Sequence, residues 1–127
     1  MKDFRWEYKA LITRVVDGDT YDADVDLGFR IRFKGRFRLH IVDTPETFRP
    51  VNEAEKAHGN QASVFVKDLI EGKEVILRTY YAGMYDRYVA DVILLDGRDL
   101  GHLLILEGLE KLDEYDGVPS KKSKVTT

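Results

Sequence analysis

The stretch TYDADVDLGFRIRFKGRFRLHIV, residues 20–42, alternates between apolar and charged positions twice over. From Thr20 to Leu27, Tyr21, Ala23, Val25 and Leu27 fall on one face, and Asp22, Asp24 and Asp26 fall on the other. From Phe29 to Val42, Phe29, Ile31, Phe33, Phe37, Leu39 and Ile41 oppose Arg30, Arg32, Lys34, Arg36 and Arg38. A period of two belongs to a half-buried strand, because successive side chains point to opposite sides of a sheet. The spacing predicts two strands laid antiparallel by a turn at Leu27-Gly28. In that register Asp26 faces Arg30, Asp24 faces Arg32 and Asp22 faces Lys34, each exposed pair worth about 0.2–1 kcal/mol. The ladder accounts for three of the cations without any nucleic acid and leaves Arg36 and Arg38 without an acidic partner. A turn at Lys34-Gly35, or a bulge at Gly35, gives a different pairing.

Working outward, Glu7–Val16 reads as a strand that ends at the turn Asp17-Gly18. Asn60–Glu71 carries Ala62, Phe65, Val66, Leu69 and Ile70 on one helical stripe, with Asn60 to cap it and Gly72 to end it. Glu53–His58 reads as an extra turn ahead of it. Val75–Tyr81 and Tyr88–Leu95 are strands, the second closed by Asp96-Gly97, and Asp99–Glu107 is a short helix. Five strands, a helix between the third and fourth, and a second short helix make a mainly β fold with helices (α+β). The expected architecture is a five-stranded OB-like Greek-key barrel. Residues 1–115 form the expected domain, and 116–127, past the end of the apolar pattern, a polar tail.

The composition sets the bounds. At 127 residues and 14.7 kDa, one core is expected. The absence of cysteine excludes disulfides, thiolate zinc and a cysteine nucleophile. Apolar runs such as Leu103–Leu106 fall far short of the ~20 residues that a bilayer needs. Met1–Glu7 is too charged for a secretory leader, so a cytoplasmic protein without membrane association is expected unless processing has already removed a leader, and a monomer is expected as well. The net charge of −3 counts against a non-specific nucleic-acid binder.

Two segments carry candidate chemistry: Asp17-Gly18-Asp19-Thr20 and Val42-Asp43-Thr44-Pro45-Glu46-Thr47. Aspartates held at strand ends can converge on a hard cation such as calcium, which takes carboxylates, carbonyls and water. Glu46 follows closely enough to reach a nearby water. The plainer readings are a common Asp-Gly turn, and a helix start with Thr44 as cap and Pro45 in the first position. Asp22-x-Asp24-x-Asp26 is no EF-hand loop, since Leu27 and Phe33 replace the required glycine and glutamate. Arg38 and Arg87 supply planar forks that can hold a phosphate and stabilise a pentacoordinate phosphorus. Either alone reads rather as a surface ion-pair residue.

Asp17-Gly18-Asp19-Thr20, Phe37-Arg38-Leu39, Val42-Asp43-Thr44-Pro45-Glu46-Thr47 and Tyr85-Asp86-Arg87 occur in an order that resembles the staphylococcal nuclease (thermonuclease) family. Glu55-Lys56, Gly59, Ala62-Ser63 and Gly108-Leu109 are similar too, so the likeness runs from about residue 8 to 112. The resemblance implies that Asp19 and Asp43 bind Ca2+ through carboxylates and Thr44 through its carbonyl. It makes Glu46 the general base, and Arg38 and Arg87 the groups that neutralise the phosphate. Tyr85 matches a substrate-contacting tyrosine, and Tyr115 lies near the family's paired stacking tyrosines. The implied activity is calcium-dependent endonucleolytic hydrolysis of DNA and RNA to 3′-phosphates; a small barrel with exposed tyrosines suits unstacked bases, so single strands are the expected preference. Four features depart from the pattern: Met84 for a lysine, Asp86 for a glycine, a longer hairpin between Thr20 and Arg38, and no apolar stripe for a third helix. A catalytically weak or inactive barrel that binds single-stranded nucleic acid is the alternative. An unrelated OB-type protein–protein or oligosaccharide module would suit the acidic net charge but leave the two arginines idle.

Overall fold

A computed structural model describes residues 6–40, 42–47, 49–80, 88–112 and 115. In chain order the elements are β1 (Trp6–Asp17), β2 (Thr20–Asp26), β3 (Arg32–Arg38), α1 (Glu53–Ile70), β4 (Glu74–Tyr80), β5 (Tyr88–Ile93) and α2 (Leu100–Leu106). The strands close into a barrel in the order β1-β2-β3-β5-β4, with β1 pairing back onto β4. All neighbours are antiparallel except β3 and β5, which pair in parallel at Phe37 with Tyr88 and Arg38 with Val89. This is the OB-like barrel with two helices that the element order predicts.

The register of the second hairpin is displaced by two residues from the expected one. Asp26 faces Arg32, Asp24 faces Lys34, Asp22 faces Arg36 and Thr20 faces Arg38. The cause is the connection, which spans Leu27 to Ile31 instead of two residues. The Leu27 N–H donates to the Ile31 carbonyl and the Ile31 N–H to that of Gly28, both at 2.9 Å. Gly28, Phe29 and Arg30 all take positive φ, at +84°, +55° and +66°. Phe29 and Ile31 therefore leave the buried face and stand 97% and 54% exposed. Arg36 does have an acidic partner, its Nε lying 2.8 Å from the Asp22 carboxylate, while Arg32 pairs with Asp24 at 2.9 Å. Gly35 sits in regular pairing opposite Ala23 and is neither turn nor bulge.

Helix α1 starts seven residues before the expected cap. Asn52 caps it, its side chain accepting the Glu55 N–H at 2.8 Å, so Asn60 lies within the helix. Its buried stripe is Glu55, Gly59, Ala62, Val66 and Ile70, with Phe65 and Leu69 partly buried at its flank. Gly72 turns the chain at φ +76° and donates its N–H to the Ile12 carbonyl at 2.7 Å, tying the helix end to β1. The short helix α2 is capped by Asp99, whose carboxylate accepts from the N–H groups of Gly101 and His102. Inside the barrel Ile12, Tyr21, Leu77 and Val92 meet Val66, Leu100 and Leu104 from the helices, all at 1% exposure or less. Among the described residues no helix is long and apolar enough to cross a membrane. The tail at 116–127 lies outside the described residues.

Candidate active site

The site forms where β1 turns into β2 and where β3 leaves the barrel. Asp17 pairs with Thr20 across a two-residue connection, Gly18-Asp19, which leaves Asp19 at the barrel pole. There is little room beside it, because a Cβ at Gly18 would lie 2.8 Å from the Thr44 side chain and 2.9 Å from Ala62. Asp19 is 7% exposed. Its carboxylate accepts the Thr20 hydroxyl at 3.0 Å and the Thr44 N–H at 3.1 Å. Its carbonyl accepts the Leu39 N–H at 3.0 Å, locking the turn to the end of β3.

Arg38, the last residue of β3, reaches across this gap. Its Nη2 donates to an Asp43 carboxylate oxygen and lies 3.5 Å from Asp19 Oδ2. Residues 24 apart in sequence thus present their carboxylates to a single cationic nitrogen. Thr44 follows on, 2% exposed, and its buried hydroxyl has no hydrogen-bond partner among the described residues. It does not cap a helix. Residues 42–46 are neither helix nor strand, and α1 takes Asn52 instead.

Glu46 is partly exposed at the edge of the same pole. Its N–H donates to Glu55 Oε2 at 2.9 Å, and its own Oε2 lies 3.9 Å from the Lys111 ammonium. Burial pushes the Glu46 carboxyl above the ordinary glutamate value; Lys111 opposes the shift, and Asp19, Asp17 and Glu55 add to it. Asp17 is likewise raised, mainly by burial, while it accepts the Thr47 hydroxyl at 2.7 Å.

Of the residues singled out from the sequence, the structure brings together Asp19, Arg38, Asp43, Thr44 and Glu46. Arg87 and Tyr85 lie outside the described residues, as do Met84 and Asp86. Tyr115 requires a correction: it is 5% exposed, its hydroxyl lies 3.3 Å from His58 Nδ1, and its ring packs edge-on against that imidazole. A ring so enclosed offers no face to a base. Sequence reasoning gave no role to Glu55 or Lys111. The missed signal is the pattern Glu55, Gly59, Ala62, Val66, in which a carboxylate heads a stripe of small and apolar residues at helical spacing. A charge in that place is buried and must be met by partners.

A sequence model of the family described as Staphylococcal nuclease homologue matches residues 36–126, well over half of the chain. The chain belongs to the staphylococcal nuclease homologue family. The matched segment of this nuclease homologue contains Arg38, Asp43, Thr44 and Glu46. Asp19 precedes it and is joined to it by the Thr44 N–H and the Arg38 guanidinium.

The donor chemistry of the site suits a hard divalent ion. Two carboxylates aimed at one cationic atom, with no nitrogen or sulfur donor, match the oxygen preference of calcium. Among the described residues no three His, Cys, Asp or Glu side chains are disposed to hold a metal unaided. Two carboxylates would therefore need a main-chain carbonyl and water to complete the shell.

Proposed function

We propose that this nuclease homologue is a calcium-dependent endonuclease that hydrolyses DNA and RNA to 3′-phosphate products, with single strands preferred. The observation that carries the reading is the convergence of Asp19 and Asp43 on the Arg38 guanidinium, with Glu46 on the adjoining loop. Calcium would be held by the Asp19 and Asp43 carboxylates and the Thr44 carbonyl, and when bound it supplies Lewis-acid polarisation of the phosphate. Glu46 takes the proton of the attacking water as its oxygen bonds to phosphorus. Its raised pKa makes it a stronger base than an exposed glutamate. Arg38 turns from the aspartates to the non-bridging oxygens, where negative charge grows in the transition state, and Arg87 matches the second such arginine by resemblance. The P–O5′ bond then breaks and the departing oxygen takes a proton from solvent, leaving a 3′-phosphate and a 5′-hydroxyl.

Release of acid-soluble nucleotides from denatured DNA, with calcium and with a chelator, tests the reading. Release that requires calcium is expected; none in either condition overturns it. A second reading has one observation in its favour: Arg38 is already engaged by two carboxylates and has to leave them to meet a phosphate. A weak or inactive module that binds single-stranded nucleic acid would retain a labelled oligonucleotide and release no fragments.

A further inference from the structure

Glu55 has no part in the chemistry above, yet its side chain is 0% exposed at the first turn of α1. An ionised carboxylate in such a place is costly to bury unless its lone pairs are met. Here they are. Oε1 accepts the Val51 N–H at 2.8 Å and Oε2 accepts the Glu46 N–H at 2.9 Å, while the Lys111 ammonium lies 3.8 Å from Oε2. The two amides flank the excursion from residue 47 to 50, so one side chain closes the loop from within.

Lys111 grips the same loop twice. Its main-chain N–H donates to the Asp43 carbonyl at 2.8 Å, and its ammonium lies 3.9 Å from Glu46 Oε2. The side chain is only 18% exposed, which confines the ammonium to the space between the two glutamates.

We propose that Glu55 and Lys111 are positioning residues that hold the Glu46 carboxylate at its working place, Glu55 through the loop main chain and Lys111 through the carboxylate itself. The proposal rests on the reading of Glu46 as the base. The physical need is clear. Residues 42–46 carry no helical or strand pairing of their own. A general base must come within about 2.6–3.2 Å of the proton that it takes. A misplacement of about 1 Å can cost about a hundredfold in rate.

The test measures cleavage of denatured DNA with calcium for Lys111→Met and Lys111→Arg, each in the wild-type and Glu46→Gln backgrounds. Lys111→Met should lower kcat about tenfold with KM within about twofold, and Lys111→Arg should restore most of the loss. In the Glu46→Gln background Lys111→Met should change kcat less than about twofold, because a residue that acts through Glu46 has nothing left to position. Equal losses in both backgrounds, or a loss that falls on KM, overturns the proposal. Glu55→Gln is read by amide hydrogen exchange, independently of activity. Faster exchange at Glu46 and Val51 is expected, and unchanged protection at both overturns the role of Glu55. A wild-type protein that is inactive with calcium defeats the nuclease reading, whereas an active one with indifferent variants defeats this proposal alone.

Discussion

Asp17 stands two residues before Asp19, half-buried, and its proton is held more tightly in the folded chain than at the ordinary value of 3.8. Burial is the main cause, Asp19 adds to it, and the hydroxyls of Thr47 and Ser63 offset part of it. Between 3.8 and the raised folded value the native state binds more protons than the unfolded chain, so stability falls as pH rises through that window. Above the window the full penalty remains. Asp17→Asn keeps an oxygen for both hydroxyls and removes the charge. In chelator at pH 7 the variant should melt a few degrees higher than the wild type, and the gain should vanish below the carboxylate range. Thermal melts at both pH values check this. Glu46 shares the same acidic pole and is the proposed base, so Glu46→Gln should lower kcat by about 10²–10⁴-fold with an unchanged circular dichroism spectrum. Near-normal turnover would remove Glu46 from the mechanism. At this scale the sequence showed the acids but not their supports, because Asp19, Arg38, Asp43, Thr44 and Glu46 lie in recognisable short motifs. Glu55 and Lys111 stand 56 positions apart and act through contacts that no local pattern announces.

Helix α1 packs closely against residues 45–47 at Gly59. A Cβ there would lie 2.6 Å from the Pro45 carbonyl oxygen, 2.8 Å from Thr47 Cγ2 and 3.0 Å from the Glu46 carbonyl oxygen. Two of these neighbours are main-chain atoms that cannot rotate aside, so Gly59→Ala must move the loop or the helix. We expect a loss of about 1–3 kcal/mol, typical of an overpacked contact, although alanine is the better helix former. Cleavage should fall as well, since the displaced atoms flank Glu46. Urea unfolding and turnover of the purified variant check both, and a stabilised, fully active variant would show that the loop yields freely. The elements themselves were legible: five strands, two helices and their order follow from period and turn chemistry. Boundaries were less so. Asn60 offered a plausible cap, yet Asn52 caps instead, because the preceding turn gains tertiary partners that propensity does not register. The hairpin register slipped for the same kind of reason. A two-residue turn at Leu27-Gly28 satisfies alternation, but the chain closes a wider loop by placing Phe29 and Arg30 in the left-handed region, which sequence preference disfavours for both.

For the molecule as a whole, charge and shape decide what kind of polymer it handles. The chain carries a net charge of −3, and the barrel pole gathers Asp17, Asp19, Asp43 and Glu46. On β3, Arg32 and Arg36 are tied to Asp24 and Asp22 rather than forming a free basic track. Arg38 is likewise paired, with Asp19 and Asp43, so we expect attraction to the phosphate backbone to rest on few cations, Arg38 and Arg87 among them. If two arginines displace counterions from a single strand, log affinity should fall against log salt with a slope of about −1.4. A slope steeper than about −4 would show an extended basic surface instead. The proposed strand preference rests on the aromatic residues of β3 and β5. Phe37 precedes Arg38 on β3, and Tyr88, 48% exposed, stands beside Phe37 on β5 with ring centroids 5.8 Å apart. We expect an exposed ring of this kind to stack a base only if that base is free of its own helix. Such stacking contributes about 1–3 kcal/mol per base. Denatured DNA should therefore be cut at least about fivefold faster than native duplex at equal nucleotide concentration. Tyr88→Ala should narrow that ratio by raising KM on the single strand, with kcat nearly unchanged. Initial rates on one plasmid, before and after heat denaturation, decide the point: faster attack on the native form would mean that the chain grips a closed helix and that the Tyr88 ring takes no part.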